Sequence, residues 1–127
     1  MRVGLWVAQV VLAVAFAFSG QLHLLTPIPA LVEQAAWAGA VPVMLTRFIG
    51  AAEIVGGIGL LLPAVTRIRP ALTPMAAGGL ATIMVLAAVV HLVRGEMSLV
   101  PVNLVLGGLA VFVWWGRTKK APILPKT

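Results

Sequence analysis

Charged and strongly polar residues divide this chain into four long apolar runs. The first extends from about Val3 to Leu25 and carries no charge between Arg2 and His23. The second covers about Val41 to Leu62, the third about Thr73 to Val93, and the fourth about Ser98 to Trp115. A helix rises ~1.5 Å per residue, so ~20 residues cross a ~30 Å hydrocarbon core. Each run is close to that length, the fourth being the shortest. The runs are apolar all round, so periodicity does not orient them. The helix assignment follows from length and from the need to satisfy every backbone polar group inside lipid. Thr73-Pro74 reads as a helix start, a capping threonine followed by proline at the first helical position.

Between the first two runs, Pro27, Pro29 and Gly39 bracket the segment Ala30 to Trp37. It predicts a short helix in the membrane interface, placed to cover the bundle mouth. An irregular loop is the alternative. The expected fold is all-α: a four-transmembrane-helix bundle with a short interfacial segment between helices 1 and 2, formed as a single domain by residues 1–127. Arg2, the apolar run and Ala15-Phe16-Ala17 also have the form of a signal peptide. The run continues uncharged to Leu25, which favours an uncleaved first span.

Composition agrees with the pattern. The chain has 127 residues, 61% hydrophobic and 9% charged, and its mean hydropathy is +1.11. Soluble domains carry roughly 25% charged residues. A soluble chain of this size could not hide so much apolar surface. The formal net charge of +6 raises the question of nucleic acid. The basic residues instead sit in short flanks between apolar runs, where they set membrane topology. The chain has no cysteine, which removes disulfides, thiolate metal sites, iron–sulfur clusters and thiol redox chemistry of its own.

Seven of the nine basic residues (Arg2, Arg67, Arg69, Arg117, Lys119, Lys120 and Lys126) fall on one side of the four spans. Arg94, Glu33 and Glu96 fall on the other side, and Arg47 lies inside span two. The positive-inside rule then predicts both termini in the cytoplasm, as in a bacterial inner-membrane protein. Trp6, Trp114 and Trp115 fit an inner aromatic belt and Trp37 an outer one.

With that orientation, Ser19 and His23 share a face in the outer half of span one. Arg47 lies in the outer half of span two, with Glu53 near the midplane. His91 lies at the outer end of span three, and Asn103 in the outer half of span four. The inner halves hold almost no polar side chain besides Gln9. Polar groups from all four spans therefore gather in one outer slab above an apolar floor. Glu53 is the most informative of them, because a carboxylate at membrane depth costs several kcal/mol unless paired, protonated or wetted. Arg47 and Glu53 are six residues apart, about 120° around the helix, so a bound group or another span must bridge them if they act together. Gly50 and Gly57 share the face of Glu53 and leave room for a ligand or a neighbouring helix. Gly56 and Gly59 lie on a different face and fit helix packing. Plainer roles stay open: Arg47 can snorkel to the interface, the histidines can sit in the headgroup layer, Asn103 and Ser19 can join helices, and Glu53 can be a protonated structural group.

The run Arg47-Phe48-Ile49-Gly50-Ala51-Ala52-Glu53-Ile54-Val55-Gly56-Gly57-Ile58-Gly59-Leu60-Leu61-Leu62-Pro63 closely resembles the second-helix signature of the DoxX-like family of small four-helix membrane proteins. Ser19-Gly20-Gln21-Leu22-His23, His91-Leu92-Val93-Arg94-Gly95-Glu96 and Asn103-Leu104-Val105-Leu106 are similar to its other segments. The resemblance implies a role of the kind described for members: a membrane subunit of thiosulfate:quinone oxidoreductase, a membrane partner of superoxide dismutase and a sulfurtransferase, or a receptor chaperone. A chain without cysteine does not fit a persulfide or thiol role of its own.

Four functions follow as candidates. The first is an accessory subunit that binds quinone or another lipophile, its polar group meeting Arg47, Glu53, His23 or His91, with Asn103 and Ser19 nearby. Burial disfavours the charged form of any carboxyl, which makes Glu53 a candidate proton carrier. The second is a non-catalytic scaffold or chaperone for membrane or peripheral redox proteins, or for further copies of the chain. The third is a small proton-coupled transporter, which the one-sided basic bias disfavours where dual topology is required. The fourth is haem ligation by His23 and His91, for which two histidines near one interface are thin support. No nucleophile–base pair, phosphate loop or carboxylate-rich metal cluster is visible, so a binding or accessory subunit fits better than a stand-alone enzyme.

Overall fold

A computed structural model describes residues 1–126. Its elements are α1 (Arg2–Leu25), α2 (Ile28–Gln34), a 3₁₀ turn (Ala36–Gly39), α3 (Val43–Thr66), α4 (Leu72–Val93), a 3₁₀ turn (Met97–Leu99), α5 (Val100–Trp115) and a π-helical turn (Gly116–Lys120). Four helical stretches are long and apolar enough to cross a bilayer: α1, α3, α4 and Met97–Lys120. Only 22–39% of each span is buried within the protein, and the remaining faces are apolar. Such faces need lipid, so this is an integral membrane protein.

The spans alternate in direction and form a ring in which α1 packs on α3, α3 on α4, α4 on α5 and α5 on α1. The α1–α3 contact is the most extensive. It rests on small residues: a Cβ on Gly20 would lie 2.6 Å from Gly50 O, and one on Gly57 would lie 3.2 Å from Ala13 O. Both glycines of that first crossing are therefore required for backbone contact. Leu12, Phe16, Leu60, Leu80, Met84, Ala110 and Val113 fill the centre. They recur at helical spacing on all four spans, so one seam of each helix is buried although none is amphipathic in the usual sense.

The Arg117 end of the bundle differs from expectation in three places. The sequence predicts the shortest span at Ser98–Trp115, whereas the fourth span runs 24 residues from Met97 to Lys120. Thr73 does not cap α4, which starts at Leu72 after Ala71 and has no side-chain cap. Its hydroxyl donates instead to Gly59 O on α3, over 3.1 Å. Pro63, four residues beyond Gly59, has no N–H to give that carbonyl, so Thr73 supplies the missing donor. Finally, this half of the bundle is not simply apolar. Gln9 Nε2 donates to Leu60 O (2.7 Å) and Arg117 Nε donates to Gln9 Oε1 (2.7 Å). Arg117 is 5% exposed. The π-helical turn directs it into the bundle, with its guanidinium 5.2 Å from the Trp6 ring.

Candidate functional site

At the opposite end, a cavity of about 500 Å³ lies among the four spans. Its wall is almost entirely apolar, and the polar side chains that reach it are Ser19, His23, Glu53, His91 and Asn103. Those five come from α1, α3, α4 and α5, so each span contributes at least one. Phe48 on α3 and Leu86 on α4 belong to the same wall and are 69% and 61% exposed. The cavity therefore opens sideways between α3 and α4, toward lipid.

Glu53 is 2% exposed. Its Oε1 lies 2.7 Å from His23 Nδ1. With Glu53 as a carboxylate, Nδ1 is the donor in this contact and Nε2 is left for another partner. His91 repeats the arrangement, with Nδ1 3.1 Å from Glu96 Oε1. Gly95 makes this second pair possible. It adopts φ +74 just beyond α4, and the Glu96 N–H returns to His91 O over 2.8 Å while the Gly95 N–H reaches Leu92 O. That helix-ending turn suits glycine and folds Glu96 back over the last turn of α4. Arg94 Nε donates to the same Glu96 oxygen, 3.1 Å away. The His91 contact is the main cause that holds the Glu96 carboxyl below the usual carboxylate range; burial opposes it, and the Arg94 contact adds to the lowering.

Arg47 does not line the cavity. Its Nη1 donates to His23 O (3.0 Å) and Thr26 O (2.7 Å), carbonyls at the end of α1 that have no helical donor. His23 is thus the bridge between Arg47 and Glu53, through its carbonyl to one and its ring to the other. Arg47 positions the end of α1 instead of facing a ligand. Gly50 and Gly57 give their space to α1, as described above. Gly56 meets Leu80 and Gly59 meets Ala76 of α4, which is packing. Asn103 is 9% exposed, and its Nδ2 has no hydrogen-bond partner among the described residues.

Two site residues are hard to find from sequence. Trp37 reads as an interface anchor, but the Ala36–Gly39 turn sets it edge-on to His23, with ring centroids 5.2 Å apart, as part of the cavity wall. The lid-like placement of its segment was the available signal. Glu96 reads as a loop charge, and only the helix-ending role of Gly95 pairs it with His91.

The sequence model described as the DoxX-like family matches residues 7–113. The chain belongs to the DoxX-like family. The match spans the whole cavity wall, from Phe16 to Leu106, and stops short of Arg117. No curated protein and no solved structure matches the chain.

Proposed function

We propose that this DoxX-like protein binds a quinone-type lipophile in the cavity and serves as an accessory subunit of a membrane oxidoreductase assembly. One observation carries the reading: two histidines, each held at Nδ1 by a carboxylate, border one apolar cavity that opens toward lipid. A quinone is a flat apolar ring with two carbonyl oxygens, and its quinol carries two hydroxyls. Nε2 of each histidine accepts a quinol hydroxyl proton when neutral and donates to a quinone oxygen when protonated. Asn103 Nδ2 adds an unused donor for a carbonyl oxygen. A volume of about 500 Å³ is in the range of ligand cavities. If the termini lie in the cytoplasm of a bacterial inner membrane, as the basic flanks predict, the ring would sit in the outer leaflet. Thiol or iron–sulfur chemistry in such an assembly would belong to a partner, because this chain has no cysteine.

The test is titration of the purified protein in nanodiscs with a short-tailed benzoquinone, alongside native mass spectrometry for co-purified lipophile. Wild type is expected to bind, and His23→Ala, His91→Ala and Asn103→Leu to bind at least about tenfold more weakly, the worth of roughly 1.4 kcal/mol. No co-purified lipophile together with equal binding by wild type and variants would defeat the reading. A second reading, a membrane scaffold, is favoured by Gly108 on α5. A Cβ there meets nothing within 4 Å, which leaves a small-residue position open to another helix. Crosslinking in native membranes that recovers no partner removes it.

A further inference from the structure

We infer that the ligand is long-tailed, and that its isoprenoid tail lies in the groove between α3 and α4; this rests on the quinone reading above. The groove has a volume of about 570 Å³ and is lined by apolar residues of these two helices alone. It shares Ala52 and Ile83 with the head cavity, so the two adjoin. From Ala52 to Leu62 it follows α3 for ~15 Å, at ~1.5 Å per residue. Gly56, Gly59 and Gly79 form part of its wall. Gly56 and Gly59 keep α3 against Leu80 and Ala76, which closes the base of the groove. Gly79 touches nothing: a Cβ there meets no atom within 4 Å. Val55, Leu62 and Met75 are 68%, 57% and 67% exposed and form raised apolar edges.

The polar head cavity thus adjoins a trough with no hydrogen-bonding side chain. That division matches a ligand with a polar ring at one end and a plain hydrocarbon chain at the other. The tail leaves the ring through the gap between α3 and α4 and runs toward the Arg117 end. A compact lipophile would use the cavity and leave the trough to bilayer lipid.

Gly79→Leu tests this, since Gly79 lines the trough and a Cβ there meets no protein atom within 4 Å. Gly108→Leu, equally open but on α5, is the control. Binding is measured in nanodiscs, as mole fraction in the bilayer, for a benzoquinone with a long isoprenoid tail and for the same ring with a single isoprene unit. The expected result is that wild type prefers the long tail by about tenfold or more, that Gly79→Leu abolishes the preference without weakening the short-tailed ring, and that Gly108→Leu changes neither. An unchanged preference in Gly79→Leu, as expected if phospholipid chains occupy the groove, overturns the inference alone. So does equal weakening of both ligands. Failure of wild type to bind either ring overturns the quinone reading and this inference with it.

Discussion

His23 and Glu53 sit on different spans, 30 positions apart in the chain, and meet through one 2.7 Å contact between Nδ1 and Oε1. The contact resolves the cost of a carboxylate at membrane depth, because the buried group has a donor. With Glu53 as a carboxylate it also selects a tautomer. ¹⁵N NMR of histidine-labelled protein should show the His23 proton on Nδ1. Glu53→Gln keeps an acceptor and should keep that tautomer. Glu53→Ala should release it and cost about 1–3 kcal/mol in unfolding free energy, the usual consequence of leaving a buried donor unpaired. An unchanged His23 spectrum in Glu53→Ala would mean the contact is not what orients the ring.

The glycines divide by what surrounds them. A Cβ on Gly50 would lie 2.6 Å from Leu24 N and 2.7 Å from Gly20 O, both rigid backbone atoms. Gly50→Ala should therefore lose about 1–3 kcal/mol or more through forced separation of α1 and α3. Because that crossing carries His23 toward Glu53, the variant should also disturb the His23 spectrum. Gly108→Ala meets no atom within 4 Å and should gain up to about 1 kcal/mol, as expected for alanine in a helix. Thermal unfolding in one detergent compares the two directly.

Much of this was legible in the chain. Span length and the scarcity of charge were enough for the four crossings, because lipid admits few alternatives. Counting residues from either end of each span places Ser19, His23, Glu53, His91 and Asn103 between the midplane and one end of the bundle, and all five reach one cavity. Depth, however, says nothing of rotation about a helix axis. Arg47 shares that depth yet turns to the end of α1, and its partners His23 and Thr26 belong to another span. Arg117 was hidden for a different reason. A basic residue after a span is read as a topology signal facing water, and no periodicity announces a π-helical turn. Thr73 was misread because capping is a local rule, whereas the vacant acceptor at Gly59 is created by a proline on the neighbouring helix.

Arg117 offers a test of how the other end of the bundle is held. Its Nε bond to Gln9 Oε1 links α1 to the end of the fourth span, and its Nη2 is buried without a partner among the described residues. Gln9→Leu removes the acceptor and strands more of a buried cation, so it should cost about 2–3 kcal/mol. Arg117→Leu also unpairs Gln9 but takes the charge away, and should cost less. The double variant should fall short of the sum by about 1 kcal/mol or more, because the two residues share one bond. Strict additivity in denaturant or thermal unfolding would show that the pair is not coupled.

The His91–Glu96–Arg94 cluster should confer pH-dependent stability near the mouth of the cavity. Hydrogen bonding by His91, then by Arg94, holds the Glu96 carboxyl below its ordinary value of 4.5. A carboxyl whose pKa is lowered by folding stabilises the folded state at pH values above its unfolded pKa, and that contribution disappears as pH falls through the folded pKa. Wild type should therefore lose stability relative to Glu96→Gln on acidification below about 4.5. The effect should be small and should shrink with added salt, because the group is solvent-screened. Thermal unfolding across acidic pH, at low and high salt, measures it; a wild-type advantage that persists at full strength to the lowest pH would show that Glu96 does not pair as a carboxylate.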